Sequence, residues 1–194
     1  MKFIPMILAA ALAAYGESLV LAPSSDSYTI PAGGCYGTEI ELLLANKSSS
    51  GHPDERSMIF WDLSEYAGRT VLSAVIRIDV FFQCGSGSGT DTEFFAATGY
   101  WDESWSGAHV PIETSPSGEY FFLGNGWHEI EASSLVQRWL SEEIPNYGVV
   151  FRVNGVYPYT KCRSRETTSG PELVLELEDN HLEPYTWAGI KSLL

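Results

Sequence analysis

From Ser18 onward, apolar and polar residues alternate in short runs that are broken by clusters of Ser, Gly, Pro, Asp and Asn. A period of two over four to eight residues is the mark of a half-buried β-strand. SLVLAP (18–23) and SYTIP (27–31) read as strands separated by SSD, and GTEIELLLANKSS (37–49) continues the pattern up to the loop SSSGHPDERS. MIFWDLSEY (58–66) leads into TVLSAVIRIDVFFQC (70–84), where β-branched and aromatic residues alternate with Ser73, Arg77 and Asp79. TEFFAATGYW, EYFFL, WHEIEA, GVVFRVNG and ELVLELE supply further strands.

One stretch has a different period. In SSLVQRWLSEE (133–143), Leu135, Val136, Trp139 and Leu140 form a helical stripe, Ser133 or Ser134 can cap it, and Pro145 stops it. GSGSGTDT (85–92) has the composition of a flexible loop joining two strands. Many short strands, one short helix and no internal repeat predict an all-β protein, a two-sheet β-sandwich of the jelly-roll type with loop clusters at both ends.

The chain of 194 residues begins with a basic Lys2, an apolar run from Phe3 to Ala14 and small residues beyond it. These features predict a signal peptide over residues 1–16, cut after Ala13 or after Gly16. The run is too short to span a bilayer, which takes roughly 20 residues. Residues 17–180 then form one domain and 181–194 a tail, and the protein is expected to be secreted, extracellular or at the cell surface.

Charge narrows the partners. With 25 acidic against 11 basic side chains the net charge is −14. That balance argues against nucleic acid and anionic membranes, and against acidic polysaccharides unless a cation bridges the charges. Cys35, Cys84 and Cys162 cannot all pair within one chain, and their pairing is left open. The four histidines have no zinc-ligand spacing.

The ordered segments LAPSSDSYTI, IFWDLSEYAGRTVLSAVIRIDV, YWDESW, WHEIEASSLVQRWLSEEIPNYGVVFR and SRETTSGPELVLELE carry a resemblance. Over about residues 19–178 the chain resembles the DNRLRE domain, also described as disaggregatase-related and as carbohydrate-binding module family 96. The resemblance implies a secreted β-sandwich of the jelly-roll type, a domain often appended to extracellular enzymes or surface proteins, with glycan binding among some of its members.

Three kinds of side chain are candidates for function. Exposed aromatics stack on the apolar faces of sugar rings; Trp101, Trp105, Tyr157 and Tyr159 lie outside the strong periodic runs and are the expected glycan contacts, whereas Trp61, Trp139 and Phe151 fit the core. In SRETTSGPELVLELE, Arg165 and Glu166 are expected to form a structural clasp, with Arg165 pairing across the sandwich with a carboxylate such as Asp62. The acidic pairs Asp102–Glu103, Glu142–Glu143 and Glu176–Glu178 are local neighbours and read as a solvated surface rather than a hydrolase's acid and base. No cofactor is required by these patterns; Asp26, Asp54, Asp91 or Asp179 could supply oxygens to calcium.

The expectation is a secreted, non-catalytic module for extracellular or cell-surface polysaccharide. The alternative is a structural or adhesive module of a surface assembly, with its tail HLEPYTWAGIKSLL docking on a protein.

Overall fold

The computed structural model describes residues 16–45, 54–84, 89–154 and 159–179. Residues 1–15 of the expected leader 1–16, Tyr157 and the tail lie outside these, while Gly16 is described as the first residue of a strand. Among the described residues eleven strands form two antiparallel sheets. The first contains β1 (Gly16–Leu21), β11 (Glu172–Glu178), β5 (Val71–Gln83), β10 (Thr160–Arg163) and β3 (Glu41–Leu44), with β8 (Gly126–Glu131) on the other edge of β5. The second runs β2 (Ser25–Thr29), β4 (Arg56–Phe60), β9 (Val149–Val153), β6 (Thr90–Ala96) and β7 (Gly118–Phe122). The chain crosses repeatedly between the sheets, as a jelly-roll sandwich does.

β5 organises the first sheet because it is long enough to hold three partners. Arg77 lies opposite Glu172 of β11 on one edge and Glu129 of β8 on the other, while Val80 to Gln83 pair with β10. Its alternation is the one visible in the sequence: Ala74, Ile76, Ile78 and Val80 point into the core with Leu173, Leu175, Leu177 and Ile130. Phe94, Phe122, Phe151 and Ile59 close the core from the second sheet.

The middle of the second sheet is buried on both faces. Ile59, Val149 and Phe151 face the main core, whereas Met58 and Val150, paired in register, pack outward against Ala97, Trp101 and Val110. The long connection between β6 and β7 covers that outer face. This explains why GVVFRV reads as a continuous apolar run rather than an alternating one.

The helix α1 (Ser133–Leu140) forms where its stripe predicts, with Leu135, Val136, Trp139 and Leu140 buried. Its ends differ from expectation. Neither serine caps it; the Glu131 carboxylate accepts the Ser133 N–H at 2.7 Å, and Ser133 Oγ instead accepts the Ala74 N–H at 2.8 Å, tying helix to β5. It ends at Leu140, five residues before Pro145, where Glu142 adopts φ 57°. β10 is the strand the pattern does not reveal: its four residues TKCR are stabilised by pairing with β3 and β5.

Candidate functional site

At the end of the sandwich beside α1, two segments distant in sequence meet around a cleft of about 330 Å³ lined by Phe60, Leu63, Ala67 and Trp139 together with Asp62, Ser64, Glu142 and Asn146, and a third segment borders the hollow next to it. A smaller hollow of about 120 Å³ shares Phe60 and Asn146 with it and adds Tyr100, Trp101 and Tyr147. The segments come from IFWDLSEYAG, YWDESW and VQRWLSEEIPNYG, three of the stretches that carry the family resemblance.

Local geometry sets each wall. Trp61 is held inward by its indole N–H, which donates to the Leu21 carbonyl at 3.2 Å. Its neighbours Phe60 and Asp62 both line the cleft. Asp62 accepts the Ser64 N–H at 3.0 Å and so starts the single 3₁₀ turn Ser64–Tyr66. On the facing side, Asn146 donates to the Trp61 carbonyl at 2.8 Å and accepts the Gly148 N–H at 3.0 Å, which locks the 144–148 loop against β4. Gly148 is required there, since it has φ 88° and a Cβ would meet the Ile59 carbonyl oxygen at 2.4 Å. Trp101 donates to the Tyr147 carbonyl at 2.7 Å and forms a wall of the smaller hollow.

The lining is aromatic and acidic, without a lysine or arginine. Tyr100 is 70% exposed, so a ring face is available to a ligand. Hydrogen bonds from the Ser64 N–H and then its hydroxyl hold the Asp62 carboxyl below the usual carboxylate range, and it stays charged at neutral pH. Trp139 is only 5% exposed, and its indole N–H has no acceptor among the described residues. Apolar walls with a few hydrogen-bonding groups at the rim suit a sugar ring, whose faces are apolar and whose edge is polar.

The residues expected to contact glycan separate. Trp101 is 6% exposed and packs with Met58, Val110 and Val150; its ring is a wall of the smaller hollow, not a free platform. Trp105 is half-buried against the same cluster, donates to the Ala108 carbonyl at 2.8 Å and braces its own loop. Tyr159 is half-buried beside Phe82, ring centroids 5.6 Å apart, at the Gln83 end of β5, whereas the cleft lies at the Val71 end. Tyr157 lies outside the described residues. Trp139, assigned to the core by its spacing, serves both core and cleft. A second exposed aromatic, Trp127, is 42% exposed on the outer face of the first sheet with the Arg77 guanidinium 4.8 Å from its ring centroid. Its signal was in the sequence: in WHEIEA it shares the outward parity of Glu129 and Glu131.

The clasp forms, but with other partners than expected. Asp62 is exposed in the cleft and makes no pair with Arg165. Arg165 instead donates through Nη1 to the Ser24 carbonyl and to Glu103 at 2.5 Å, with Glu166 3.9 Å from Nε. Its backbone N–H donates to Asp26 at 2.7 Å. Ser164 Oγ donates to the Glu39 carbonyl at 2.6 Å and lies 3.0 Å from Glu166 Oε2. The reason is the backbone: 164–170 is a turn, not the start of a strand, so side chains there do not alternate. Asp26, Glu103 and Glu166 each offer an oxygen within 4.8 Å of the others and are the residues that could hold a cation. Of the four aspartates considered for calcium, only Asp26 belongs to this group; Asp54 is held by Arg56 at 2.7 Å and by His109 at 3.4 Å.

Cys162 is buried in the core, where burial pushes its thiol well above the ordinary range, and Cys35 is exposed. Among the described residues no helix is long and apolar enough to cross a membrane.

No curated protein matches the chain closely. The model of one family does match, over residues 18–177, which takes in all but the outermost residues of the sandwich and every residue that lines the cleft and the hollow. The chain belongs to carbohydrate-binding module family 96.

Proposed function

We propose that this protein is a secreted, non-catalytic module that recognises extracellular or cell-surface polysaccharide through the cleft beside α1. The observation that carries the reading is the cleft with its adjoining hollow: Phe60, Leu63 and Trp139 line the first beside Asp62, Ser64 and Glu142, and Tyr100 borders the second. The cleft's volume lies at the lower end of the range for small-ligand sites, which begins near 300 Å³. One or two sugar residues fill such a space.

Non-catalysis is supported by the placement of the acids. Asp62 and Glu142 are both exposed, and the Asp62 carboxyl is held below its ordinary range by Ser64, the opposite of the raised carboxyl that a general acid needs. Export is supported by the leader pattern, and cleavage after Ala13 would keep β1 entire from Gly16. Binding as proposed needs no cofactor, because Arg165 supplies the positive charge within the Asp26, Glu103 and Glu166 group.

A glycan array probed with the secreted protein, followed by incubation with each bound glycan, tests both parts. Saturable binding without released product is expected. Product release would make the protein a hydrolase, and an array without binding would move the reading to a structural or adhesive module.

A further inference from the structure

We propose that the ligand is an extended, uncharged polysaccharide chain, held along a groove that continues from the cleft past Tyr147 to Arg138. The inference rests on the carbohydrate-binding reading of the cleft and adds to it the length and charge of the ligand.

Shared walls establish the groove. The cleft and the smaller hollow have Phe60 and Asn146 in common. Tyr147 lines that hollow and also a third, of about 90 Å³, whose apolar wall is Ile144 and Pro145. Thr98 and Glu113 line the third and also a fourth, of about 490 Å³, which Arg138 borders. The four hollows thus follow one another around the loop 142–147. Both banks are fixed by hydrogen bonds. Asn146 donates to the Trp61 carbonyl and the Tyr147 carbonyl accepts the Trp101 indole N–H, which holds the loop. Across from it the Thr98 N–H donates to the Pro111 carbonyl at 2.8 Å and the Glu113 N–H to the Ala96 carbonyl at 3.1 Å. A groove built in this way is formed before a ligand arrives, so little ordering cost opposes binding.

The chemistry changes along the groove. Where the cleft offers apolar walls, the fourth hollow offers the exposed residues Thr98, Thr114 and Ser115, each with a hydroxyl, and the Arg138–Glu113 pair. Arg138 donates to Glu113 through Nη1 at 3.0 Å and Nη2 at 2.6 Å, and to Glu143 through Nε at 3.1 Å. These bonds use three of the five N–H groups of a guanidinium and leave two without a partner among the described residues. The paired charges set donors and acceptor lone pairs side by side. Adjacent hydroxyls of a sugar ring, each both donor and acceptor, match that arrangement. An anionic sugar does not, since Glu113 and Glu143 already outnumber the single guanidinium. By volume the fourth hollow, like the cleft, takes one or two sugar residues, so a chain that fills the whole groove has roughly four residues or more.

The test is calorimetric titration of the full protein with di-, tetra- and hexasaccharides cut from cellulose, β-1,3-glucan, xylan and mannan, and with a hexameric oligouronate. In the series that binds, the hexasaccharide should bind about tenfold or more tighter than the disaccharide, and the oligouronate should not bind. Arg138→Met keeps the stem and removes the donors. It should weaken hexasaccharide binding about tenfold, as loss of a hydrogen bond to a charged group implies, and leave disaccharide binding unchanged. Because Arg138 also braces Glu113 and Glu143, a second variant separates binding from folding. Thr114→Ala combined with Ser115→Ala removes two side chains that have no hydrogen-bond partner among the described residues, and should lower hexasaccharide affinity at an unchanged melting temperature. Disaccharides that bind as tightly as hexasaccharides, a hexasaccharide indifferent to both variants, or tighter binding of the oligouronate would overturn the inference and leave the cleft a carbohydrate site. Failure of every oligosaccharide to bind the folded protein would overturn the inference and the carbohydrate reading together.

Discussion

The guanidinium of Arg165 reaches Glu103 at 2.5 Å across 62 positions of sequence and joins the turn after β10 to the loop that carries Tyr100 and Trp101. The same side chain donates to the Ser24 carbonyl, and Ser24 Oγ accepts the Asp62 N–H at 3.0 Å. The clasp therefore stands behind one wall of the cleft and one of the hollow next to it. Arg165→Ala should lower stability by about 2 kcal/mol, since it removes a charge-assisted pair and leaves a carbonyl without its donor. Glycan affinity should fall as well, because the 100–105 loop loses its anchor. Arg165→Lys should recover only part, as a lysine cannot hold Glu103 and the Ser24 carbonyl with one planar fork. Thermal melts of the two variants check this; an unchanged melting temperature in Arg165→Ala would count against the clasp.

Asp26 should give the protein a stability that declines toward neutral pH. It is 1% exposed, and burial, opposed by the Arg165 N–H and reinforced by Glu166, lifts its carboxyl to about 7. The unfolded chain releases that proton near pH 4. Between about pH 4 and 7 the folded state alone holds the proton, so this group's contribution is complete below pH 4, falls as pH rises, and is level above 7. Asp26→Asn keeps an acceptor for Arg165 and cannot ionise. The difference in unfolding free energy between variant and wild type should therefore grow in the variant's favour across that interval, by about 4 kcal/mol at most, from about 1.4 kcal/mol per pKa unit. A pH-independent difference in denaturant melts would refute the assignment.

Calcium should matter only when the clasp is broken. In the wild-type protein, chelator should change neither melting temperature nor glycan affinity, because Arg165 provides the cation beside Asp26, Glu103 and Glu166. In Arg165→Ala the three carboxylates lose that charge, and millimolar calcium should restore part of the lost melting temperature. A wild-type protein destabilised by chelator would instead make the group a resident metal site.

The two aromatic neighbours Tyr100 and Trp101 should part company under mutation. Tyr100 is exposed, so Tyr100→Ala should leave the melting temperature within a degree or two and weaken glycan binding about tenfold, about 1.4 kcal/mol, close to the lower end of what full burial of a large apolar side chain contributes. Trp101→Ala empties a buried position under the β6–β7 connection and should cost about 3–5 kcal/mol of stability.

Strands whose two faces differ were plain in the sequence. β5, β8 and β11 each put one parity in the core and the other in solvent, and their alternation followed. β10 gave no such signal because pairing with β3 and β5, rather than its own four residues, makes it a strand. Trp101 was misjudged for a related reason. A loop was taken as exposed, although Val149, Val150 and Phe151, apolar in sequence, already indicated a sheet with both faces to cover. The structural role of Arg165 was legible, but its partner was not: Glu103 and Asp62 both sit in loops, where no period fixes direction. The cleft was least legible of all. Phe60, Tyr100 and Trp139 are brought together by the sheet order, and no local pattern encodes that meeting.

The most direct test of the central claim is to titrate the tightest-binding glycan from an array into wild type, Tyr100→Ala and Trp127→Ala, each shown to be folded. The account predicts saturable binding by wild type, a loss of about tenfold or more in Tyr100→Ala, and undiminished binding in Trp127→Ala, whose aromatic lies on the sheet face away from the cleft. Binding that survives Tyr100→Ala and disappears in Trp127→Ala would contradict it and move the site to the outer face of the first sheet.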